Sequence, residues 1–73
     1  MERITLVDRK QITSKGKEYF VLVCYNSLGF IFKSFVDKNF FETCQIGEDL
    51  TDYTYRRYNT TKNLVDYYIK YNN

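Results

Sequence analysis

The stretch EYFVLVCYNSLGFIFKSFV, residues 18–36, decides how this chain folds. Two runs rich in β-branched and aromatic residues, Glu18–Tyr25 and Phe30–Val36, flank Asn26-Ser27-Leu28-Gly29. Asn favours the start of a type I turn because its side chain can bond the backbone two residues on, and Gly follows it because a left-handed conformation costs it nothing. Together they mark a three-residue hairpin loop. That loop sets the register, pairing Asn26 with Phe30, Cys24 with Phe32, Leu22 with Ser34 and Phe20 with Val36. Side chains alternate across a sheet, so these residues share one face, which reads as core. The other face carries Tyr19, Val21, Val23, Tyr25, Ile31, Lys33 and Phe35. It is too apolar for plain surface and, with Lys33 and two phenols, too polar for plain core. It is the candidate contact surface.

Outward from this hairpin, the remainder also favours strands, since Ala is absent and Val, Ile, Thr, Phe and Tyr abound. Arg3–Thr13 reads as a first strand with Ile4 and Leu6 on one face. The pattern changes phase at Val7, which predicts a bulge or bend near Asp8. Ser14-Lys15-Gly16-Lys17 is the turn into the second strand. After the third strand, Asp37 is a suitable N-cap, and Phe40, Phe41 and Cys44 lie at helical spacing, so a short helix is expected there. Such a helix is unstable alone and needs an open end of the sheet to plug. Gln45–Leu50 turns the chain into a fourth strand, Leu50–Tyr58. Asn59-Thr60-Thr61-Lys62 turns it again into a fifth, Asn63–Tyr71, with Val65, Tyr67 and Ile69 on one face and Leu64, Tyr68 and Lys70 on the other. Asn72 and Asn73 are expected to fray.

The order of three strands, a short helix and two strands resembles the OB-fold. So does the step Phe41, Cys44, Ile46-Gly47-Glu48, Leu50 ahead of the fourth strand. The resemblance spans nearly the whole chain as an arrangement of elements, and implies a mostly β, small five-stranded OB-like barrel with a short helix between strands 3 and 4. Two alternatives stand beside it. An SH3-like barrel requires 37–44 to be only a turn. A β-sheet with a C-terminal helix follows if Leu64, Tyr67, Tyr68 and Tyr71 express a helical period.

Composition narrows function by exclusion. The chain has 73 residues, which suits one domain, 1–73, near the lower limit for an unstapled core. No His is present, removing the commonest general base and metal ligand, and the three glycines form no phosphate-binding loop. A non-enzymatic protein without cofactor or metal is expected. Cys24 and Cys44 are too few for a disulfide framework and read as small buried hydrophobes. The start of the chain shows no signal-peptide pattern, and no run nears the roughly 18 apolar residues of a membrane helix. A cytoplasmic setting away from membranes follows. Asn, Lys, Tyr, Phe and Ile have AT-rich codons, as expected in a low-GC bacterium, phage, plasmid or other mobile element.

Charge is unevenly spread. Residues 1–36 hold six cations against three anions, net +3, and residues 37–52 hold one against five, net −4. From Tyr53 onward four cations oppose Asp66, net +3. A basic surface of this kind suits a polyanion, although short charged segments are also ordinary solvated surface.

The OB-fold resemblance implies binding of single-stranded nucleic acid across the second and third strands, with bases on rings and cations along the phosphates. The expected rings are Tyr19, Tyr25 and Phe35, with Lys33 among them. Lys15 and Lys17 in the first turn, and Arg56, Arg57 and Lys62 near the last, would hold the backbone, and Tyr58 ends the run 53–58, the densest local mixture of rings and cations. Each has a plainer structural reading: turn lysines are common, and Tyr53, Tyr55 and Tyr67 also suit core rings with hydroxyls at the rim. The competing class is a protein-binding or inhibitor module, or a homodimer, using the same Tyr-rich surface.

Overall fold

β1 (Ile4–Ser14), β2 (Lys17–Asn26) and β3 (Phe30–Val36) form an antiparallel sheet in that order in the computed structural model, which describes residues 2–70. A short helix, α1 (Lys38–Thr43), follows, then a 3-10 turn at Thr51–Tyr53 and a second antiparallel sheet of β4 (Thr54–Asn59) and β5 (Leu64–Ile69). The chain is thus mostly β, with five strands in two sheets. The expected Tyr71 end of the last strand and the fraying of Asn72 and Asn73 lie outside the described residues.

The β2–β3 register is the one that the loop predicts, with Asn26 on Phe30, Cys24 on Phe32, Leu22 on Ser34 and Phe20 on Val36. Gly29 N–H bonds Asn26 O at 2.8 Å, closing the turn, and Gly29 sits at φ 111°, a conformation that a β-carbon would strain. The β1–β2 connection is the expected turn at Ser14-Lys15-Gly16-Lys17. Ser14 pairs with Lys17, and Lys15 and Gly16 both have positive φ, the mirror-image turn whose twist matches its strands.

The predicted bulge is present: the β1–β2 register slips between Leu6 and Asp8. Before it, Ile4 and Leu6 stand on the face of Asn26 and Cys24. After it, Lys10 and Ile12 stand on the opposite face, with Val21 and Tyr19, while Arg9 and Gln11 join Leu22 and Phe20.

The core lies on the face of Leu22 and Cys24. Ile4, Leu6, Val36, Cys44, Leu50 and Ile69 complete it, and Phe20, Phe32, Phe40 and Phe41 pack against it. Each of its large aliphatic side chains contributes about 2 kcal/mol through burial. Asp37 caps α1, its Oδ1 accepting from Phe40 N–H at 2.8 Å. Arg9 serves the other end of the helix: its guanidinium donates to Phe41 O and Cys44 O, both at 2.7 Å, with its centre 4.7 Å from the Phe41 ring.

Residues 47–50 run along the outer edge of β1. Gly47 N–H donates to Leu6 O at 2.7 Å, Leu6 N–H to Glu48 O at 2.9 Å, and Leu50 N–H to Ile4 O at 2.8 Å. The expected fourth strand from Leu50 therefore starts late. Tyr53 N–H bonds Leu50 O and the Thr54 hydroxyl bonds the same carbonyl, curling 51–53 into a 3-10 turn before extension resumes at Thr54. β5 lies alongside β3, tied to it by Ile69 N–H donating to Ser34 Oγ at 2.9 Å. Among the described residues no strand ladder joins the two sheets into a closed barrel.

Three expectations are corrected. Residues 38–43 are helical, which removes the SH3-like alternative. Residues 64–69 pair with β4 throughout, which removes the C-terminal helix: the Asn59–Lys62 turn brings β4 within reach, and ladder hydrogen bonds decide between two periods that fit the same residues equally well. Phe30, expected in the core, is 36% exposed at the sheet margin, where its ring leans on Tyr67 at 5.0 Å.

Candidate binding surface

The outer face of the first sheet is built in rows across its strands. Ile12 stands beside Tyr19; Lys10, Val21 and Phe35 make the next row; Asp8, Val23 and Lys33 the third; Thr5, Tyr25 and Ile31 the last. Strand alternation puts Lys17 on this face as well. Val21 and Val23, expected as part of the contact surface, are instead only 3% and 8% exposed. As the middle members of their rows they are flanked by longer side chains and form the floor.

The flanking side chains remain open to solvent. Phe35 is 69% exposed and Ile31 60%, and Ile12, Tyr19, Tyr25, Lys10, Lys17 and Lys33 are exposed too. Tyr19 and Phe35 meet edge to face, centroids 6.0 Å apart at 68°, so each keeps a π face free while fixing the other. Asp8 is the carboxylate on this face, and its Oδ1 accepts its neighbour Arg9 N–H at 2.8 Å. Rings with open faces, interleaved with ammonium groups, can stack planar groups and neutralise anions.

Of the residues expected at a site, Lys17, Tyr19, Tyr25, Lys33 and Phe35 share this face, and Lys15 is at the tip of the β1–β2 turn beside it. Arg56, Arg57, Tyr58 and Lys62 belong to the second sheet and its turn. Arg56 pairs with Glu2. Arg57, on the opposite face of β4, stands across from Asp66, whose carboxylate accepts from the Asn59 amide at 3.0 Å. The Tyr58 hydroxyl donates to Asn63 Oδ1, and Lys62 N–H to Asn59 Oδ1 at 3.0 Å. Arg57, Tyr58, Asn59, Thr60, Thr61 and Asp66 line a polar hollow at this turn.

Two groups of surface residues escaped the sequence. Lys10 and Ile12 reach the outer face only because of the bulge, and the phase change at Val7 was the signal for it. On the outer side of the second sheet Tyr55 and Tyr68 pair across the strands, centroids 5.9 Å apart at 24°, with Lys70 Nζ 5.4 Å from the Tyr55 centroid. The turn at 59–62 implied that pairing.

The polar groups elsewhere serve the fold. The Asn26 amide, ahead of Tyr67 and Arg56, holds Glu2 below the usual carboxylate range. Cys24 and Cys44 are buried and unbridged, and burial pushes the Cys24 thiol up to about 12. Among the described residues no group of three or more His, Cys, Asp or Glu is placed to hold a metal ion, and no helix is long and apolar enough to cross a membrane. Comparison with protein-family models, curated proteins and solved structures finds no match.

Proposed function

We propose that this chain binds single-stranded nucleic acid, without catalysis, on the outer face of β1–β2–β3. One observation carries the proposal: Tyr19, Tyr25 and Phe35 are exposed on the same sheet face as Lys10, Lys17 and Lys33. Bases of any sequence stack on such rings, and lysines beside them follow the phosphates. Burial of Val21 and Val23 beneath gives the rings a rigid floor, which lowers the ordering cost of binding.

The same reading takes the architecture as an incomplete OB-like barrel. Pairing of 47–50 with the outer edge of β1, and the place of β5 beside β3, support that strand order. In an OB-fold the second and third strands carry the nucleic-acid face.

The test is tyrosine fluorescence on titration with a short single-stranded oligonucleotide at two salt concentrations. Binding at low salt that weakens steeply as salt rises is expected, because each lysine that neutralises a phosphate releases counterions. Phe35→Ala, at a residue whose ring is mostly in solvent, should cost roughly 1 to 3 kcal/mol of affinity without unfolding the chain. Absence of binding at low salt overturns the proposal.

A second reading rests on Ile12 and Ile31, which are exposed on the same face and contribute nothing to phosphate binding. They suit a protein partner or a second copy of this chain. A dimer in solution that Ile31→Lys converts to monomer, with oligonucleotide binding absent, would establish it.

A further inference from the structure

The outer side of the second sheet carries rings and cations that the first sheet's surface does not account for. Tyr55 is exposed and lies beside the partly buried Tyr68. Their rings are offset, centroids 5.9 Å apart at 24°, and Tyr55 keeps much of its surface in solvent. Lys70 Nζ approaches Tyr55, and Arg57 follows two residues along β4 on the same side. The carboxylate there is Asp66, held by Asn59.

The seam between β3 and β5 connects this patch with the first. Ile69 and Ser34 are both buried, and the Ile69 N–H meets the Ser34 hydroxyl at that seam. Their immediate neighbours therefore turn the other way: Lys33 and Phe35 on β3, Tyr68 on β5 and Lys70 just beyond its end. The inward direction is common to both sheets, since Tyr67 packs on Phe30 and Phe32, and Ile69 joins the core of the first sheet. Because both sheets turn inward to one core, their outer faces diverge from it and adjoin along the β3–β5 seam.

We infer that Tyr55, Tyr68, Lys70 and Arg57 form a second stacking subsite, which continues the path of a single strand from β2–β3 across the seam onto β4–β5. This inference rests on the nucleic-acid reading of the first sheet. It adds a binding length: a short oligomer fills the first sheet alone, and a longer one also engages the second. Charge favours the same occupant, because across both outer faces Lys10, Lys17, Lys33, Lys70 and Arg57 outnumber Asp8 and Asp66.

The experiment compares two oligothymidylates, of roughly four and roughly twelve nucleotides, spanning much of the range of site sizes for one small barrel. Tyr55→Ala should weaken the longer by about tenfold and leave the shorter unchanged, whereas Phe35→Ala should weaken both. Lys70→Gln, at an exposed side chain, provides a readout independent of the ring. It should lower the slope of log affinity against log salt by about 0.7 for the longer oligomer only. Equal effects of Tyr55→Ala and Lys70→Gln on both oligomers, or no effect on either, overturn the second subsite while leaving the first in place. Failure of the unsubstituted chain to bind either oligomer overturns both.

Discussion

The Asn26 side chain, fully buried at the end of β2, donates from Nδ2 to Glu2 Oε2 at 2.7 Å while its Oδ1 accepts Leu28 N–H at 2.8 Å. One amide thus holds the hairpin loop and the carboxylate to which Arg56 and Tyr67 of the second sheet also bond. Asn26→Ala removes both bonds in a buried place and should cost about 2–3 kcal/mol. Urea denaturation measures it as a lowered midpoint with unchanged slope; an unshifted midpoint would mean that the loop closes without the side chain.

Acid should weaken the fold through Asp49 and Glu2. The Thr51 hydroxyl and N–H donate to Asp49 Oδ1 at 2.5 and 2.8 Å, Arg3 donates to Oδ2 at 2.6 Å, and these bonds, those from Thr51 foremost, bring its pKa from 3.8 to about 2. Glu2 is likewise lowered from 4.5. A carboxyl group with a depressed folded pKa contributes stability that is present above the unfolded value and lost as pH falls through the folded one. Stability should therefore decline from just above the ordinary carboxylate range downward. Asp49→Asn should flatten that decline in acid denaturation curves followed by circular dichroism.

Arg9→Lys should behave as a loss, not as a conservative change. Nη1 alone donates to both Phe41 O and Cys44 O while the planar guanidinium lies over the Phe41 ring, and lysine's shorter, compact and strongly hydrated ammonium lacks both that reach and that stacking. A cost of about 2 kcal/mol for Arg9→Ala, with most of it retained in Arg9→Lys, is expected. Amide exchange at the C-terminal end of α1 should accelerate in both variants.

Ser34→Ala leaves the Ile69 N–H buried without its acceptor. About 1–3 kcal/mol should be lost, and exchange at Ile69 should speed more than exchange within the β2–β3 ladder. Equal acceleration everywhere would assign the hydroxyl to global stability and not to the seam between sheets.

Thiol reagents should find the folded chain unreactive. Burial raises both thiols, Cys24 to about 12, so little thiolate is present and access is closed. Modification should follow the unfolding rate, rising with urea in step with the loss of structure.

How much of this was legible depends on whether the cause was local. The β2–β3 register, the bulge after Leu6 and the Asp37 cap rest on a few adjacent residues whose turn and cap chemistry has few outcomes. Leu50–Tyr53 did not declare itself, because Leu50 and Thr51 are anchored to the Ile4 carbonyl and amide of β1, some 45 residues away, and the local curl at Leu50 O follows from that anchoring. Arg9 and Arg56 counted only as charge in the sequence. Their acceptors, two helix carbonyls and Glu2, become neighbours only on folding. Of the candidate surface, the alternation of β2 and β3 gave the rings correctly, but not which side chains form its floor. Burial of Val21 and Val23 depends on the length of flanking side chains that come from other strands.

The slip between Leu6 and Asp8 lets one eleven-residue strand serve two opposed masters. Its first residues look into the core at positions 4 and 6, and its later even-numbered residues look outward. Chain length is therefore as informative here as side-chain identity. Loss of Val7 alone would bring Asp8 directly after Leu6 and make the ladder regular, with Arg9 and Gln11 inward and Lys10 and Ile12 outward as they already stand. Loss of Lys10 instead, with the turn at Ser14 and Lys17 holding the register, would carry Arg9 into its place on the outer face and off the helix, so this tract should tolerate a deletion at position 7 far better than one three residues later.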